Sequence, residues 1–412
     1  MHRALGDVKV LDFSRVLAGP FATMLLGDLG ADILKIERPG AGDESRSWAP
    51  PRGPQGEATY FLSVNRNKRS VVLDLTDPGD LGRARAYANA ADVVVENFRP
   101  SVMERLGLGY EELSGANPRL VYCSICAFGT EAGAGLAGYD LLVQALGGLM
   151  SITGERDGEP QKVGVALVDV LAGVFATVGI LAALRHRDAT GEGQRVQVDL
   201  FSALLAALAN QGAAYTVAGV VPPRLGNAHP SIAPYEVYSC GEGRVVVAVG
   251  NDRQFSALCG AIGQRGLASD PRFTHNPDRV ANREELRAVL EEALAGASAE
   301  TWSERLAAAA VPAGVVNDLR GAFALAERLG LEPVVEVADH AGPPVRLTRN
   351  PVRLSKTPAS YRLAPPALGS TPAGDWPAPG TPDPPGAPDP SSGLSAVREG
   401  KSTPEARPGH GG

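Results

Sequence analysis

Short hydrophobic runs alternate with segments of helical periodicity over the first half of the chain. Six runs of five to seven residues are rich in Val, Ile and Leu, which predicts buried strands at residues 8–12, 32–37, 70–75, 92–97, 120–125 and 194–200. The segments between and after them have the apolar spacing of helices, which we predict at residues 20–29, 78–89, 100–106, 139–150, 169–186 and 201–217. Because helical crossovers join parallel strands, this pattern predicts an α/β domain with a Rossmann-like, mostly parallel sheet.

The pattern changes near residue 222, where Pro and Gly become frequent and indicate a linker. A hairpin over residues 235–249 and three further helices predict a smaller α+β domain. The domains predicted are a large α/β domain over residues 1–220, a small α+β domain over residues 221–330, and a segment over residues 331–364 that returns to the large domain. Residues 365–412 are rich in Pro, Gly, Ala and Ser, and we predict that they form a disordered tail.

Composition narrows the class of protein. The 412 residues are 44% hydrophobic and 21% charged, as in globular proteins, and the net charge of −7 argues against a nucleic-acid partner. Four cysteines in a chain of this length are no disulfide framework, which favours a reducing cytoplasm. The N-terminus has no apolar signal segment, and the longest uncharged apolar run, residues 170–184, is shorter than the ~20 residues that span a bilayer. We therefore expect a cytoplasmic protein without a membrane partner, and we interpret this run as a buried helix.

Three short motifs carry little chemistry by themselves. The first β-α turn, residues 13–20, contains only Gly19 where a dinucleotide fingerprint requires Gly-x-Gly-x-x-Gly, which disfavours a nicotinamide dehydrogenase. Cys123 and Cys126 form a lone C-x-x-C without a second ligand pair, so we interpret them as packing residues and predict no metal site. The basic cluster at residues 65–69 is interpreted as a solvated turn or as a grip for phosphate.

Asp169 is the single carboxylate in a long apolar stretch, residues 164–184. Burial of an unpaired charge costs several kcal/mol, so the fold must stabilise this anion. One interpretation is a helix N-cap, in which the carboxylate accepts backbone N–H bonds. The other is a covalent nucleophile, and the two are compatible because a helix N-terminus favours the ionised form.

Several stretches together resemble family III CoA-transferases, the group that contains formyl-CoA transferase. They are VLDFSRVLAGP (10–20), GADILKIERP (30–39), NKRS (67–70), ADVVVENF (91–98), GVALVD (164–169), GILAAL (179–184) and TGEGQ (190–194). Their order and spacing are more specific than any one stretch, and the resemblance covers roughly residues 7 to 360.

The resemblance implies an interlocked homodimer that uses acyl-CoA and a small carboxylic acid as substrates, with no tightly bound cofactor. It implies that Asp169 is the nucleophile, acting through aspartyl-anhydride and aspartyl-CoA thioester intermediates. Tyr139 and Asp140 match substrate-pocket positions. The matching CoA-binding positions are Val16, Leu17, Ala18, Arg38, Leu73, Asn97, Phe98 and Arg105.

The chain departs from formyl-CoA transferase at several positions. Residues 249–254 contain one glycine where that enzyme has a flexible run of glycines, Leu17 replaces a glutamine and Ala137 replaces a lysine. These differences favour a succinyl-CoA-dependent transferase for a dicarboxylate such as mesaconate, citramalate, malate or glutarate.

Two alternatives remain at this stage. An α-methylacyl-CoA racemase of the same fold uses a histidine where this chain has Tyr139, whose ordinary pKa of about 10 suits proton transfer poorly. A non-catalytic CoA-binding protein would be indicated by the loss of Asp169, which is present.

Overall fold

The computed structural model describes residues 2–338 and 343–373. The chain forms two compact units. The first contains Met1–Cys126, Ala172–Val198 and the chain from Val334 onward, and the second contains Ala127–Leu171 and Asp199–Pro333.

The central element of the first unit is a six-stranded sheet. Its strands are β1 (Lys9–Asp12), β2 (Asp32–Glu37), β3 (Lys68–Val72), β4 (Val93–Glu96), β5 (Val121–Cys126) and β6 (Arg195–Asp199). Their order in the sheet is β3-β2-β1-β4-β5-β6, and β1 pairs in parallel with both β2 and β4. The predicted Rossmann-like α/β sheet is therefore confirmed, and its strand order reverses between β1 and β4, where doubly wound folds bind ligands.

Helices alternate with these strands along the chain. In the first half of the chain they are α1 (Ala18–Asp28), α2 (Thr59–Ser63), α3 (Pro78–Ala90), α4 (Val102–Arg105), α5 (Tyr110–Ala116), α6 (Asp140–Leu146), α7 (Leu149–Ile152) and α8 (Leu167–Thr190), with a 3₁₀ turn at Glu44–Ser47. Local sequence explains several boundaries. Asp77 caps α3, whose first residue is Pro78. After α1, Gly30 has a φ of 114°, a value that favours glycine at the turn into β2.

The core of the first unit lies between the sheet and its helices. Leu11, Leu34, Val71, Val94 and Tyr122 are all buried in one hydrophobic cluster. The strands are short but rich in Val, Ile and Leu, as is typical of a parallel sheet that is covered on both faces.

The second unit contains a three-stranded antiparallel sheet, β7 (Tyr235–Ser239), β8 (Arg244–Ala248) and β9 (Ala313–Val315), in the order β7-β8-β9. The predicted hairpin is thus present as β7 and β8. Its remaining helices are α9 (Leu200–Ala207), α10 (Ala209–Ala218), α11 (Asp252–Ala261), α12 (Asn276–Ala281), α13 (Arg283–Leu294), α14 (Ala299–Ala308) and α15 (Leu319–Arg328), with a 3₁₀ turn at Arg265–Ser269. Helix α15 was absent from the sequence prediction.

The later part of the first unit begins with the antiparallel pair β10 (Val334–Val337) and β11 (Val345–Thr348). The Asn67 N–H donates to the Leu363 carbonyl at 2.8 Å, and the Thr371 N–H donates to the Ser70 carbonyl at 2.9 Å. Residues 363–371 are therefore bonded to the edge strand β3. Of the predicted tail, residues 374–412 lie outside the described residues.

Helix α8 is long and apolar enough to cross a membrane, and α9 with α10 would also qualify as one span although they are bent by 84°. A core helix of a soluble protein has the same length and composition, so this is weak evidence for membrane insertion. One face of α8 is buried, including Ala172, Ala176 and Ile180. The interpretation of this run as a buried helix holds for one face of α8 only, because Phe175 and Val178 on another face are exposed.

Candidate functional site

A cavity of about 450 Å³ lies at the carboxyl ends of β1, β2, β3 and β4 in the first unit. Four of the predicted CoA-binding residues line it: Arg38, Leu73, Phe98 and Arg105. They come together because each follows the end of a strand, except Arg105, which ends α4. The cavity therefore occupies the crevice where open α/β sheets bind nucleotides and related ligands.

Arg15 also lines this cavity, and the sequence analysis missed it. Its guanidinium lies over the Phe98 ring, 4.6 Å from the ring centroid, and pairs with the Glu44 carboxylate at 2.8 Å. Arg38 lies 3.7 Å from the same Glu44 oxygen, and about half of its side chain is exposed. The walls of the cavity are mostly apolar, and Arg15, Arg38 and Arg105 line it as well. Apolar walls suit a flat aromatic base, and guanidinium groups suit phosphate.

The loop that contains Val16, Leu17 and Ala18 joins β1 to α1. Val16 has a φ of 70°, which is rare for a β-branched residue and costs on the order of 1–3 kcal/mol. Gly19 is required by the tightness of this loop, because a Cβ at that position would lie 2.2 Å from the Ser14 Cβ. Among the described residues, no side chain caps the N-terminus of α1, and its first turn contains no acidic residue, so the N–H groups there can receive an anion.

Asn97 does not direct its polar atoms into the cavity. Its Oδ1 accepts from the Arg15 N–H at 2.8 Å, and its Nδ2 donates to the Arg15 carbonyl at 2.7 Å. The side chain therefore joins the end of β4 to the loop after β1, at the point where the strand order reverses.

The basic cluster at residues 65–69 is neither a solvated turn nor a phosphate grip, and both interpretations are wrong. Arg66 is buried and pairs with Asp28 at 2.6 Å, and Lys68 is buried and pairs with Asp12 at 3.1 Å. Burial lowers the pKa of Lys68 to about 8, against the opposing effect of Asp12. These cations balance carboxylates inside the first unit and are unavailable to a ligand.

Asp169 lies in the first turn of α8, in the second unit. The N-cap interpretation is wrong, because the helix begins two residues earlier, at Leu167. The capping acceptor is Asp140, whose Oδ1 accepts from the Val168 N–H at 2.7 Å and from the Asp169 N–H at 3.3 Å. The side chain of Asp169 therefore has no role in capping α8.

Asp140 itself is fixed by a neighbour on α6. The Gln144 amide donates to its Oδ2 at 2.6 Å, and the Gln144 Oε1 accepts from the Val163 N–H at 2.9 Å. Tyr139, the other predicted substrate-pocket residue, precedes α6 and exposes 66% of its surface. Asp140 thus lies beside Asp169, while Tyr139 is open to a ligand.

Burial and the negative charge of Asp140 raise the pKa of Asp169 to about 7. A carboxylate with this pKa is a stronger base than an ordinary aspartate and remains substantially ionised at neutral pH. Strongly raised pKa values of this kind are typical of catalytic groups.

The other motifs do not form a second site. Cys123 is buried in β5, and burial raises the pKa of its thiol well above the ordinary range. Cys126 is half-buried, and neither cysteine is in a disulfide. Over residues 2–338 and 343–373, no group of three or more His, Cys, Asp or Glu side chains has the arrangement of a metal site.

A doubly wound sheet with an arginine-lined cavity at its switch point defines an α/β protein with a candidate ligand site in its first unit. Asp169, in the first turn of α8, lies beside Asp140. The comparisons with known proteins specify the family. The model of CoA-transferase family III matches residues 5–371. The chain is 42% identical over 380 residues to the succinate–glutarate CoA-transferase of Agrobacterium fabrum, covering 89% of this chain and 93% of that protein.

Two further comparisons agree. The chain is 42% identical over 348 residues to the acetyl-CoA:oxalate CoA-transferase of Acetobacter aceti, covering 84% of this chain and 88% of that one. A crystal structure of a CaiB/BaiF family protein from Brucella suis matches with a TM-score of 0.80 and 39% identity, covering 90% of this chain and 97% of that chain. The chain belongs to family III of the CoA-transferases, and it is a transferase enzyme. The racemase and the non-catalytic CoA-binding protein are not favoured by these matches.

Proposed function

We propose that this enzyme moves CoA from succinyl-CoA to a dicarboxylic acid such as glutarate, with Asp169 as the covalent nucleophile. The observation that carries the proposal is the placement of the Asp169 carboxylate in the first turn of α8, where Asp140 has already satisfied the helix end. A carboxylate can form a covalent acyl intermediate without a metal or a redox cofactor.

The reaction has four steps, and each step transfers an acyl group between a carboxylate and the CoA thiolate. The Asp169 carboxylate attacks the thioester carbonyl, CoA leaves as a thiolate, and a succinyl–aspartyl anhydride forms. The thiolate attacks the aspartyl carbonyl, which releases succinate and leaves an aspartyl-CoA thioester. The acceptor carboxylate attacks that thioester to form a second anhydride and free thiolate, and the thiolate then attacks the acceptor carbonyl. The new acyl-CoA is released and the Asp169 carboxylate is regenerated.

The electrostatics of Asp169 suit this sequence. The raised pKa increases the nucleophilicity of its carboxylate. The partial positive charge at the N-terminus of α8 favours the anionic state that attacks and the oxyanion that develops. Asp140 acts on this group as a positioning residue, since its carboxylate fixes the first turn of α8.

CoA binding is assigned to the crevice of the first unit. Arg15, Arg38 and Arg105 offer guanidinium groups to phosphate, and the apolar walls formed by Leu73 and Phe98 accept the adenine ring. The backbone N–H groups of Leu17 and Ala18, at the N-terminus of α1, are donors for a phosphate group, while the N–H of Val16 donates to Asp43.

Two observations support a dicarboxylic acid as the acceptor. They are the substrates in the names of relatives and two residues that differ from formyl-CoA transferase. The Agrobacterium relative is named for succinate and glutarate, and a relative from Haloarcula marismortui, 40% identical, is named for succinyl-CoA and mesaconate. Leu17 and Ala137 remove a polar and a charged side chain, which favours longer acids over oxalate. The Acetobacter relative is named for oxalate, so oxalate belongs among the acids to be tested.

We also propose that the enzyme is an interlocked homodimer of the cytoplasm. Exposed apolar side chains support the dimer: Leu141 and Leu146 on α6, and Val174, Phe175 and Val178 on α8. Large apolar side chains that are exposed on a helix are often covered at a protein interface. The four cysteines form no disulfide, which is compatible with a reducing compartment.

The test of the function is a transfer assay read by mass spectrometry of the product thioesters. The parental enzyme is incubated with succinyl-CoA and one acid from the set glutarate, mesaconate, citramalate, malate and oxalate. Transfer to a dicarboxylate, abolished in Asp169→Ala and retained in Asp188→Asn, supports the proposal. Asp188 is a matched control because it lies exposed near the other end of α8. Transfer at the parental rate in Asp169→Ala contradicts the assigned nucleophile.

A further inference from the structure

Val16 holds a backbone conformation that its own side chain disfavours. Its φ of 70° falls in the left-handed region, where valine is rarely found. Such a conformation persists only when surrounding groups enforce it, and it is concentrated at functional sites. The loop that contains Val16 is the one assigned to CoA, so the groups that enforce its shape bear on ligand binding.

The Asp43 carboxylate is one of these groups. The Val16 N–H donates to its two oxygens at 3.2 and 3.3 Å. Asp43 is held in turn by the Lys35 ammonium at 3.0 Å, with both side chains fully buried, and by the Ser45 hydroxyl at 2.7 Å. Burial by itself would raise the pKa of Asp43, but Lys35 and Ser45 lower it to about 2. The acceptor that faces Val16 is therefore a fixed anion at every pH at which the enzyme would work.

The neighbouring peptide groups are held in the same way. The Lys35 Nζ donates to the Ser14 carbonyl at 2.6 Å, and Asn97 makes its two hydrogen bonds to the backbone of Arg15. Residues 14, 15 and 16 are thus each bonded to a side chain from elsewhere in the first unit. Three consecutive residues fixed by Lys35, Asn97 and Asp43 form a loop whose shape is set before a ligand arrives.

We propose that Asp43 and Asn97 are positioning residues that preorganise the loop at residues 14–18 for CoA, with Asp43 holding Val16 in its left-handed conformation. This inference rests on the proposed CoA-binding role of the loop. Neither side chain needs to contact CoA, because the polar atoms of both are engaged with protein groups. Preorganisation strengthens binding by removing the cost of ordering the loop when the ligand binds.

The test measures CoA binding by calorimetry and thermal stability side by side. Asp43→Asn should raise the Kd for CoA at least about tenfold. The matched control is Asp28→Asn, which disrupts an equally buried ion pair, with Arg66, at the far end of α1. The control should lower the melting temperature and leave the Kd for CoA near the parental value.

The substitution Val16→Gly distinguishes a positioning role of Asp43 from a general loss of structure. Glycine adopts a positive φ without steric cost, so a loop with Val16→Gly no longer needs Asp43 to enforce that conformation. In the Val16→Gly background, the further change Asp43→Asn should raise the Kd by less than about threefold, a coupling that a double-mutant cycle measures directly. A merely structural loss would produce the same increase in both backgrounds.

Asn97→Ala provides the second variant, because it removes the two hydrogen bonds to Arg15 without leaving a buried charge unpaired. It should raise the Kd for CoA while the melting temperature changes little. An unchanged Kd in Asn97→Ala, or an equal effect of Asp43→Asn in both backgrounds, overturns the positioning role. A parental enzyme that binds no CoA contradicts the proposed function instead, so the two failures are distinguishable.

Discussion

Asp140 and Asp169 are coupled through the N-terminus of α8. The Asp140 Oδ1 accepts a hydrogen bond from the backbone N–H of Asp169 at 3.3 Å, while its negative charge raises the pKa of the Asp169 side chain. Asp140 therefore caps the helix, and the carboxylate of Asp169 has no part in the capping. Changes at Asp140 and at Asp169 should therefore have different effects.

Asp140→Asn should shift the activity profile to lower pH. The amide retains an oxygen that can accept the N–H bonds of α8, but the negative charge beside Asp169 is lost. The pKa of Asp169 should then fall, and the acid limb of kcat/KM for succinyl-CoA should move in the same direction. Steady-state rates between pH 5 and 9 measure this, with Asp188→Asn as the control that leaves the limb in place. If the acid limb of kcat/KM stays at the same pH in Asp140→Asn, Asp140 is not the cause of the raised pKa of Asp169.

Asp169→Asn should make the protein more stable than the parental chain above pH 7. The folded-state pKa of about 7 lies above the ordinary value of 3.8, so the protonated carboxyl is compatible with the fold and the ionised carboxylate is not fully accommodated. The stability contributed by this group is present below the unfolded pKa and is lost as the pH rises through the folded pKa. Thermal unfolding should show a higher melting temperature for the variant at pH 8.5 and a much smaller difference at pH 5. A variant that is less stable than the parental chain at pH 8.5 contradicts this pKa.

Arg38→Ala should weaken the binding of succinyl-CoA without slowing the chemical step. Loss of a charge-assisted hydrogen bond to phosphate costs about 1.5–3 kcal/mol, which corresponds to a KM raised roughly 10- to 150-fold. Arg83→Ala is the control, because Arg83 lies exposed on α3 and pairs only with Asp80 among the described residues. Initial rates at varied succinyl-CoA concentration give kcat and KM for both variants. A fall in kcat with an unchanged KM would place Arg38 outside the CoA phosphate site.

Asp12→Asn should destabilise the first unit. The change leaves the Lys68 ammonium, which is fully buried, without its carboxylate partner at 3.1 Å. Removal of one member of a buried ion pair typically costs about 3–5 kcal/mol. The comparison is urea unfolding of Asp12→Asn and of Asp80→Asn, which loses a partly exposed ion pair with Arg83 on α3. Equal midpoints for the two variants would show that the buried pair contributes little.

The strands and the α/β class were predictable because they depend on local patterns. The strands β1, β2 and β4 are four to six residues long, each contains two or three Val, Ile or Leu residues, and the segments between them are long enough for a crossover. Helix α15 escaped prediction, and its residues at 319–328 remain largely exposed on the second unit.

The site was predictable only in part, because its chemistry depends on contacts between distant positions. Asp169 was identified as an isolated charge, but its cap is Asp140, 29 residues earlier, and no local signal indicates that pairing. Arg66 and Lys68 resembled a surface cluster until the fold placed Asp28 and Asp12 against them. Arg15 could have been found from its position at the end of a strand, the same signal that identified Arg38.

The central claim is that Asp169 becomes covalently bonded during turnover. The direct measurement is incubation of the enzyme with succinyl-CoA followed by borohydride or hydroxylamine, with peptide mapping by mass spectrometry. Reduction of an aspartyl-CoA thioester should convert Asp169 to homoserine, and hydroxylamine should convert it to the hydroxamate, in the peptide that contains the start of α8. Full thioester exchange with an unmodified Asp169, or modification of a different carboxylate, would contradict the account.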